Sequence, residues 1–219
     1  MEDYLKATLL CDVNDENIRN KANELTKDTT DEKDAAQKIF YFVRDEIPFG
    51  VGPVDTKASE TLKKAIGCGV TRTNLQVAML RTLGIPARYH HAVISKGCLK
   101  GIISDGIYKK FPEKVWFYPW CECYLGNKWV SSDILYDKKL YDASVQKGII
   151  KRDRVPTIDW DGNRDLGLVK PWIIEDKGTL SSFDDVMRKV ESENKLPKFI
   201  TKIAYSSSNR YTNKLRKKE

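Results

Sequence analysis

Residues 66–94, IGCGVTRTNLQVAMLRTLGIPARYHHAVI, constrain the fold of this chain more than any other stretch. A glycine pair around Cys68 leads into about thirteen helix-compatible residues, which break at Gly84 and Pro86 and give way to an alternating, strand-like run. Gly67 and Gly69 permit positive φ and close backbone approach, so Cys68 is expected on a sharp turn at the head of the helix. Free N–H groups and the positive end of the helix dipole collect there and favour a thiolate, which makes Cys68 a candidate nucleophile. Val70, Leu75, Val77, Ala78, Met79, Leu80 and Leu83 occupy most of the circumference, the pattern of a buried central helix. Gly84 supplies the left-handed stop, and Pro86 bars resumption.

The flanking sequence fits a mixed fold. A helix is expected over residues 16–25. Thr29 and Glu32 offer a capping box for a second helix, whose Ala36, Ile39, Phe40, Val43 and Ile47 recur at helical spacing and which ends before Pro48. Residues 50–59 read as a loop, and residues 95–113, rich in Gly and Lys, as an excursion or lid. Residues 116–125 and 128–133 read as strands joined at Gly126 and Asn127, a two-residue connection with good hairpin chemistry. Further on the signal weakens: residues 153–165 are turn-rich, a helix capped by Ser181 or Ser182 carries Phe183, Val186, Met187 and Val190, and a last helix is expected over residues 197–211.

Composition excludes several classes. With 219 residues, 41% of them hydrophobic, one good core is expected. The net charge of +7 is concentrated in part at Arg210, Lys214, Arg216, Lys217 and Lys218, a solvated tail with no interleaved aromatic platform, so no nucleic-acid partner is expected. No stretch approaches the roughly 20 apolar residues of a membrane span, and the first residues lack a signal-peptide pattern, so the expectation is a cytoplasmic chain with no membrane partner. Cys11, Cys68, Cys98, Cys121 and Cys123 show neither disulfide density nor paired metal-ligand spacing. Cys121 and Cys123 flank Glu122 at strand spacing and read as small buried residues.

The run LRTLGIPARYH, preceded by ASETLKKAIG and, further upstream, by AAQKIFYFVRDEIPFGV, resembles the core of the transglutaminase-like superfamily, relatives of papain in fold. The resemblance covers about residues 31–143 and implies an α+β fold, a transglutaminase-like or papain-like core in which a central nucleophile helix packs on an antiparallel sheet. The chain is then a single domain, 1–219, with a helical lead-in (1–30), the core (31–143) and a helical extension (144–219).

In that family a cysteine thiolate attacks an amide or ester carbonyl, a histidine shuttles protons, an aspartate orients the histidine, and water or an amine resolves the acyl-enzyme. The resemblance puts Asp133, in WVSSD, at the aspartate position. It puts the family cysteine on Gly69, one residue after Cys68, and Tyr118, in YPWCECYL, where the histidine is expected. The chain's histidines, His90 and His91, lie instead on the strand after the helix, where alternation turns one toward the helix and the other away.

The leading expectation is a cysteine-dependent acyltransferase or amide hydrolase with a rearranged triad: Cys68 nucleophile, His90 or His91 base, Asp133 orienting group. Tyr118, Trp120 and Gly69 are the candidate substrate-binding residues, although Trp120 and Trp129 also read as core. The partner is then a peptide or small-molecule acyl donor, with water or an amine as acceptor, and no cofactor or metal is called for. Two alternatives stand beside it: a catalytically silent member whose cleft binds a peptide or small amide, and a non-covalent enzyme using Tyr118 and a histidine for proton transfer.

Overall fold

The computed structural model describes residues 1–193 and 198–217. Two capped helices open the fold. Helix α1 (Glu16–Thr26) is capped by Asp15, whose carboxylate accepts from the N–H groups of Asn17 and Ile18. Helix α2 (Glu32–Glu46) is capped by Asp31, which accepts from Asp34 N at 2.8 Å. The expected Thr29 cap is thereby corrected: the Thr29 hydroxyl donates back to Thr26 O, and the acidic residue next to the helix takes the cap. Ala36, Ile39, Phe40 and Val43 face inward from α2.

A short helix, α3 (Ala58–Lys64), leads to the central helix, α4 (Gly69–Thr82), with Cys68 as its N-cap residue. Every residue from Gly69 to Arg81 is buried. A helix buried all round must satisfy its polar side chains internally, and α4 does so for most of them, with contacts that tie the fold together, while Arg72 Nε and Gln76 Oε1 are buried without a hydrogen bond among the described residues. Arg72 donates to four carbonyls, those of Ile134, Leu135, Val43 and Arg44. Asn74 donates to Leu10 O and accepts from the Tyr89 hydroxyl, while Gln76 donates to Ser132 Oγ. Burial lowers the Arg72 guanidinium to about 10, which leaves it charged at neutral pH. Gly84, at φ +76, ends the helix as expected.

The sheet has the order β3-β2-β1-β4, with every neighbouring pair antiparallel. Strand β1 (Ala87–Ser95) returns directly from α4. After a 3-10 turn (Lys96–Leu99) and helix α5 (Asp105–Lys110), β2 (Lys114–Leu125) and β3 (Lys128–Ser132) form the hairpin. Gly126 and Asn127 both have positive φ, 52° and 65°, the combination that matches a two-residue turn to the strand twist. Cys121 and Cys123 are fully buried, and all five cysteines are free thiols.

Helix α6 (Lys138–Gln146), strand β4 (Ile173–Leu180), helix α7 (Asp184–Glu193) and helix α8 (Lys198–Arg216) complete the chain. Of the expected caps, Ser182 accepts from the N–H of Asp184, the first residue of α7, at 3.2 Å, while Phe183 stands directly before the helix. The proposed start of the last helix at Pro197 lies outside the described residues. The helical extension expected over residues 144–219 also contains a strand, β4, which pairs with β1. Among the described residues, no helix is long and apolar enough to cross a membrane.

Candidate functional site

Gly69 is the first residue of α4, and its backbone lies against the ring of Tyr118 from β2. A Cβ built on Gly69 would sit 2.9 Å from Tyr118 Cε2 and 3.5 Å from its hydroxyl oxygen, closer to the ring carbon than side chains pack. Glycine is thus required here for contact and not for φ. Neither Gly67 nor Gly69 adopts positive φ, which corrects that part of the sequence expectation.

The Tyr118 hydroxyl donates to Asp133 Oδ1 at 2.7 Å. Asp133 Oδ2 accepts from Leu168 N at 2.9 Å and Val169 N at 3.1 Å, so both carboxylate oxygens are committed inside the protein. Both side chains are almost wholly removed from solvent. Burial pushes the Asp133 carboxyl up to about 6, against the opposing pull of Tyr118 and the two N–H groups. Burial, with the neighbouring Asp133 charge, likewise pushes the Tyr118 phenol well above its usual value. A phenol held protonated against a carboxylate is a hydrogen-bond donor already in use, and it is no base at neutral pH.

Cys68 is half-buried, and its sulfur has one close polar partner, Thr71 Oγ1 at 3.8 Å. Burial first, then Cys68 and Asp55, raise the Tyr205 phenol of α8, so the thiol shares its surroundings with that residue. Among the described residues no hydrogen bond links Cys68 to a histidine or to Asp133.

The histidines are engaged elsewhere. Tyr89 points to α4, where it reaches Asn74, so alternation turns His90 to the opposite sheet face. There His90 stacks on Trp120 with centroids 4.4 Å apart; Nδ1 meets Glu122 Oε1 at 2.8 Å and Nε2 meets Asp176 Oδ1 at 2.7 Å. The hydrogen bond to Glu122, reinforced by Asp176, raises the His90 imidazole above its ordinary value. Arg88 completes the cluster, 2.7 Å from Glu122 and 4.0 Å over the Trp129 ring. His91 packs against Phe117; its Nδ1 is buried without a hydrogen-bond partner among the described residues, and burial lowers its imidazole.

The structure therefore brings Gly69, Tyr118 and Asp133 together, and among the described residues no hydrogen bond joins Cys68, His90 or His91 to that set. Trp120, expected beside the substrate, lies under His90. Sequence reasoning missed Leu168 and Val169 as anchors of Asp133, and no motif around them carried a signal. Among the described residues no group of three or more metal-ligating side chains occurs.

A helix head set against a hairpin that carries Tyr118 and leads into Asp133, on an antiparallel sheet, is the framework of the transglutaminase-like proteins. The model of the transglutaminase-like superfamily core matches residues 19–134, more than half of the chain, and the protein belongs to that superfamily. Its fold is accordingly the α+β, papain-like core of that family, which comprises cysteine-dependent hydrolases and acyltransferases. Solved structures are similar to this chain, two of them as follows. One is a candidate cysteine protease from Cytophaga hutchinsonii, 19% identical over 61% of this chain and 42% of that one, with a TM-score of 0.47. The other is a candidate protease from Parabacteroides distasonis, 16% identical over 52% of this chain and 22% of that one, with a TM-score of 0.39. The matched part spans less than half the length of either. No curated protein matches the chain.

Proposed function

We propose that this chain is a catalytically silent transglutaminase-like protein, which acts by non-covalent recognition and not through an acyl-enzyme. The observation that supports this most is the Tyr118 ring over Gly69, only 2.9 Å from where a side chain would begin. At the positions the family uses for cysteine, histidine and aspartate, the chain has glycine, tyrosine and aspartate. The first supplies no nucleophile. The second lies with its ring against the first, and the third holds the second in place through the 2.7 Å hydrogen bond. Covalent catalysis needs nucleophile and base within hydrogen-bond reach of each other, and among the described residues the polar partner of the Cys68 sulfur is the Thr71 hydroxyl.

The test is turnover of a glutamine-containing peptide, followed as ammonia release with and without an amine acceptor, and of an activated ester, in the native chain and in Cys68→Ser. The reading expects no turnover above buffer on the peptide and the same slow ester hydrolysis in both. Peptide turnover that disappears in Cys68→Ser overturns it in favour of the rearranged triad.

A further inference from the structure

Away from the helix head, three short segments enclose a concave site. After α6 the chain turns so that Ile149 N and Ile150 N both donate to Ser144 O, at 2.8 and 3.1 Å. The next turn closes on Lys151 O, which accepts from Arg154 N and Val155 N at 3.1 and 3.0 Å, so Lys151 and Arg154 flank one tight loop. Facing it, the 3-10 turn after β1 presents Lys100. Trp172, from the 3-10 turn before β4 (Lys170–Trp172), makes the third wall. Its ring rests on Gly97, where a Cβ would lie 2.8 Å from Cδ1 and Nε1, so the indole has a fixed seat.

These segments bound a cavity of about 440 Å³ with Cys98 and Tyr136 in its lining. That volume is in the range of small-ligand sites. The Tyr136 hydroxyl is held by Cys98 O at 2.8 Å, so the lining is anchored. Lys100, Lys151 and Arg154 all line the cavity, and no carboxylate does; Asp153, adjacent in sequence, is not part of the lining. Among the described residues none of the three cations has an ion pair or a side-chain hydrogen bond. Elsewhere in the molecule Arg44, Arg88 and Arg216 each have a carboxylate partner. Three exposed cations around one concavity, with no carboxylate in its lining, leave an anion as the fitting counter-charge.

We propose that this cavity binds a small phosphate monoester carrying a flat or apolar group, with the phosphate among Lys100, Lys151 and Arg154 and the apolar part against Trp172. A phosphate monoester carries about −1.5 to −2 charge at neutral pH and accepts from several donors at once, which suits three cations better than a single carboxylate does. The concave shape and limited volume favour a soluble ligand over a bilayer headgroup. The site goes beyond the loss of thiol chemistry and holds whether or not Cys68 can be acylated, so the two readings fail separately.

The experiment is isothermal titration of the full chain at physiological salt with phenyl phosphate, inorganic phosphate and phenol, and co-sedimentation with phosphatidic acid–phosphatidylcholine vesicles. Phenyl phosphate is expected to bind saturably at one site and phenol not to bind. Reversing the exposed charges (Lys100→Glu, Lys151→Glu, Arg154→Glu) should weaken phenyl phosphate about tenfold or more, with thermal unfolding as the check on folding. If that variant does not fold, Lys151→Gln with Arg154→Gln should still weaken binding severalfold. Trp172→Ala should weaken phenyl phosphate and leave inorganic phosphate nearly unchanged. No saturable binding up to about 10 mM, unchanged affinity in the folded charge variants, or binding to vesicles alone overturns the site. An unchanged phenyl phosphate affinity in Trp172→Ala overturns the assignment of its apolar half.

Discussion

The head of α4 and the far face of the same sheet make an instructive pair. At the helix head the polar groups are few, buried and fully used: Tyr118 on Asp133, and Asp133 on Leu168 N and Val169 N. On the far face His90, Glu122, Asp176 and Arg88 form a partly exposed charge cluster over Trp120 and Trp129. The chain thus contains a cysteine, histidines and an aspartate, the ingredients of a thiol enzyme, but His90 is committed to Glu122, Asp176 and the Trp120 ring. Residue types gathered in one fold do not make a site while their polar atoms are committed to other partners.

The sharpest way to break this contrast is to open the sealed corner. Asp133→Ala leaves the Tyr118 hydroxyl and two backbone N–H groups buried without their acceptor, and should cost about 3 kcal/mol or more in urea unfolding, since each orphaned group costs about 1–3 kcal/mol. A loss under about 1 kcal/mol would mean that water reaches the corner.

Gly69→Ala comes next. Its methyl would meet the Tyr118 ring, and the expected cost is about 1–3 kcal/mol. The cost should shrink when Tyr118→Ala is made as well, a coupling that a double-mutant cycle reads directly. Additive costs would show that the ring does not press on this position.

The far face should respond to pH instead. The His90 imidazole is raised in the folded protein, so the folded state holds its proton to higher pH. Its contribution to stability is complete below about 6.5 and is lost as pH rises through the raised value. His90→Gln should therefore flatten the fall in stability above pH 6.5, measured as denaturation midpoints across that range. Asp133 acts in a separate window: its neutral form is favoured in the fold, so its contribution falls as pH rises from its ordinary value to about 6 and is level above that. An unchanged slope in His90→Gln would mean that the imidazole is not protonated against Glu122 and Asp176.

The smallest effect belongs to Cys68→Ser. With one weak contact at Thr71, the thiol should be replaceable for about 0.5 kcal/mol or less. A loss comparable to that of Gly69→Ala would make Cys68 part of the sealed corner after all.

Much of the framework was legible because its signals are local. The apolar circumference of α4, the stop at Gly84 and the Gly126–Asn127 turn follow from periodicity and backbone preference, and the structure contains each of them. Strand β4 was not legible. Its sequence IIEDKGTL lies mostly exposed at the sheet edge and shows no alternation, so its identity comes from pairing with β1, a contact distant in sequence. Helix α6 was missed for a related reason: it is nine residues long, and its Asp137 cap is also held by Arg216 from α8.

The site was legible in its residue types and not in its directions. Consecutive helical positions diverge by about 100°, so a cysteine one residue early addresses other neighbours than the residue after it does. The sequence placed Gly69, Tyr118 and Asp133 at the family positions. What it did not reveal is that the tyrosine ring would lie on the glycine.

The measurement closest to the central claim is the rate at which Cys68 is acetylated by p-nitrophenyl acetate, followed by mass spectrometry of the Cys68 peptide in the folded chain and in the same chain unfolded in urea. A sealed family site with a bystander thiol predicts a folded rate no greater than the unfolded one. A folded rate about a hundredfold above the unfolded one, with the acetyl group turned over by water, would show an activated nucleophile and contradict the account.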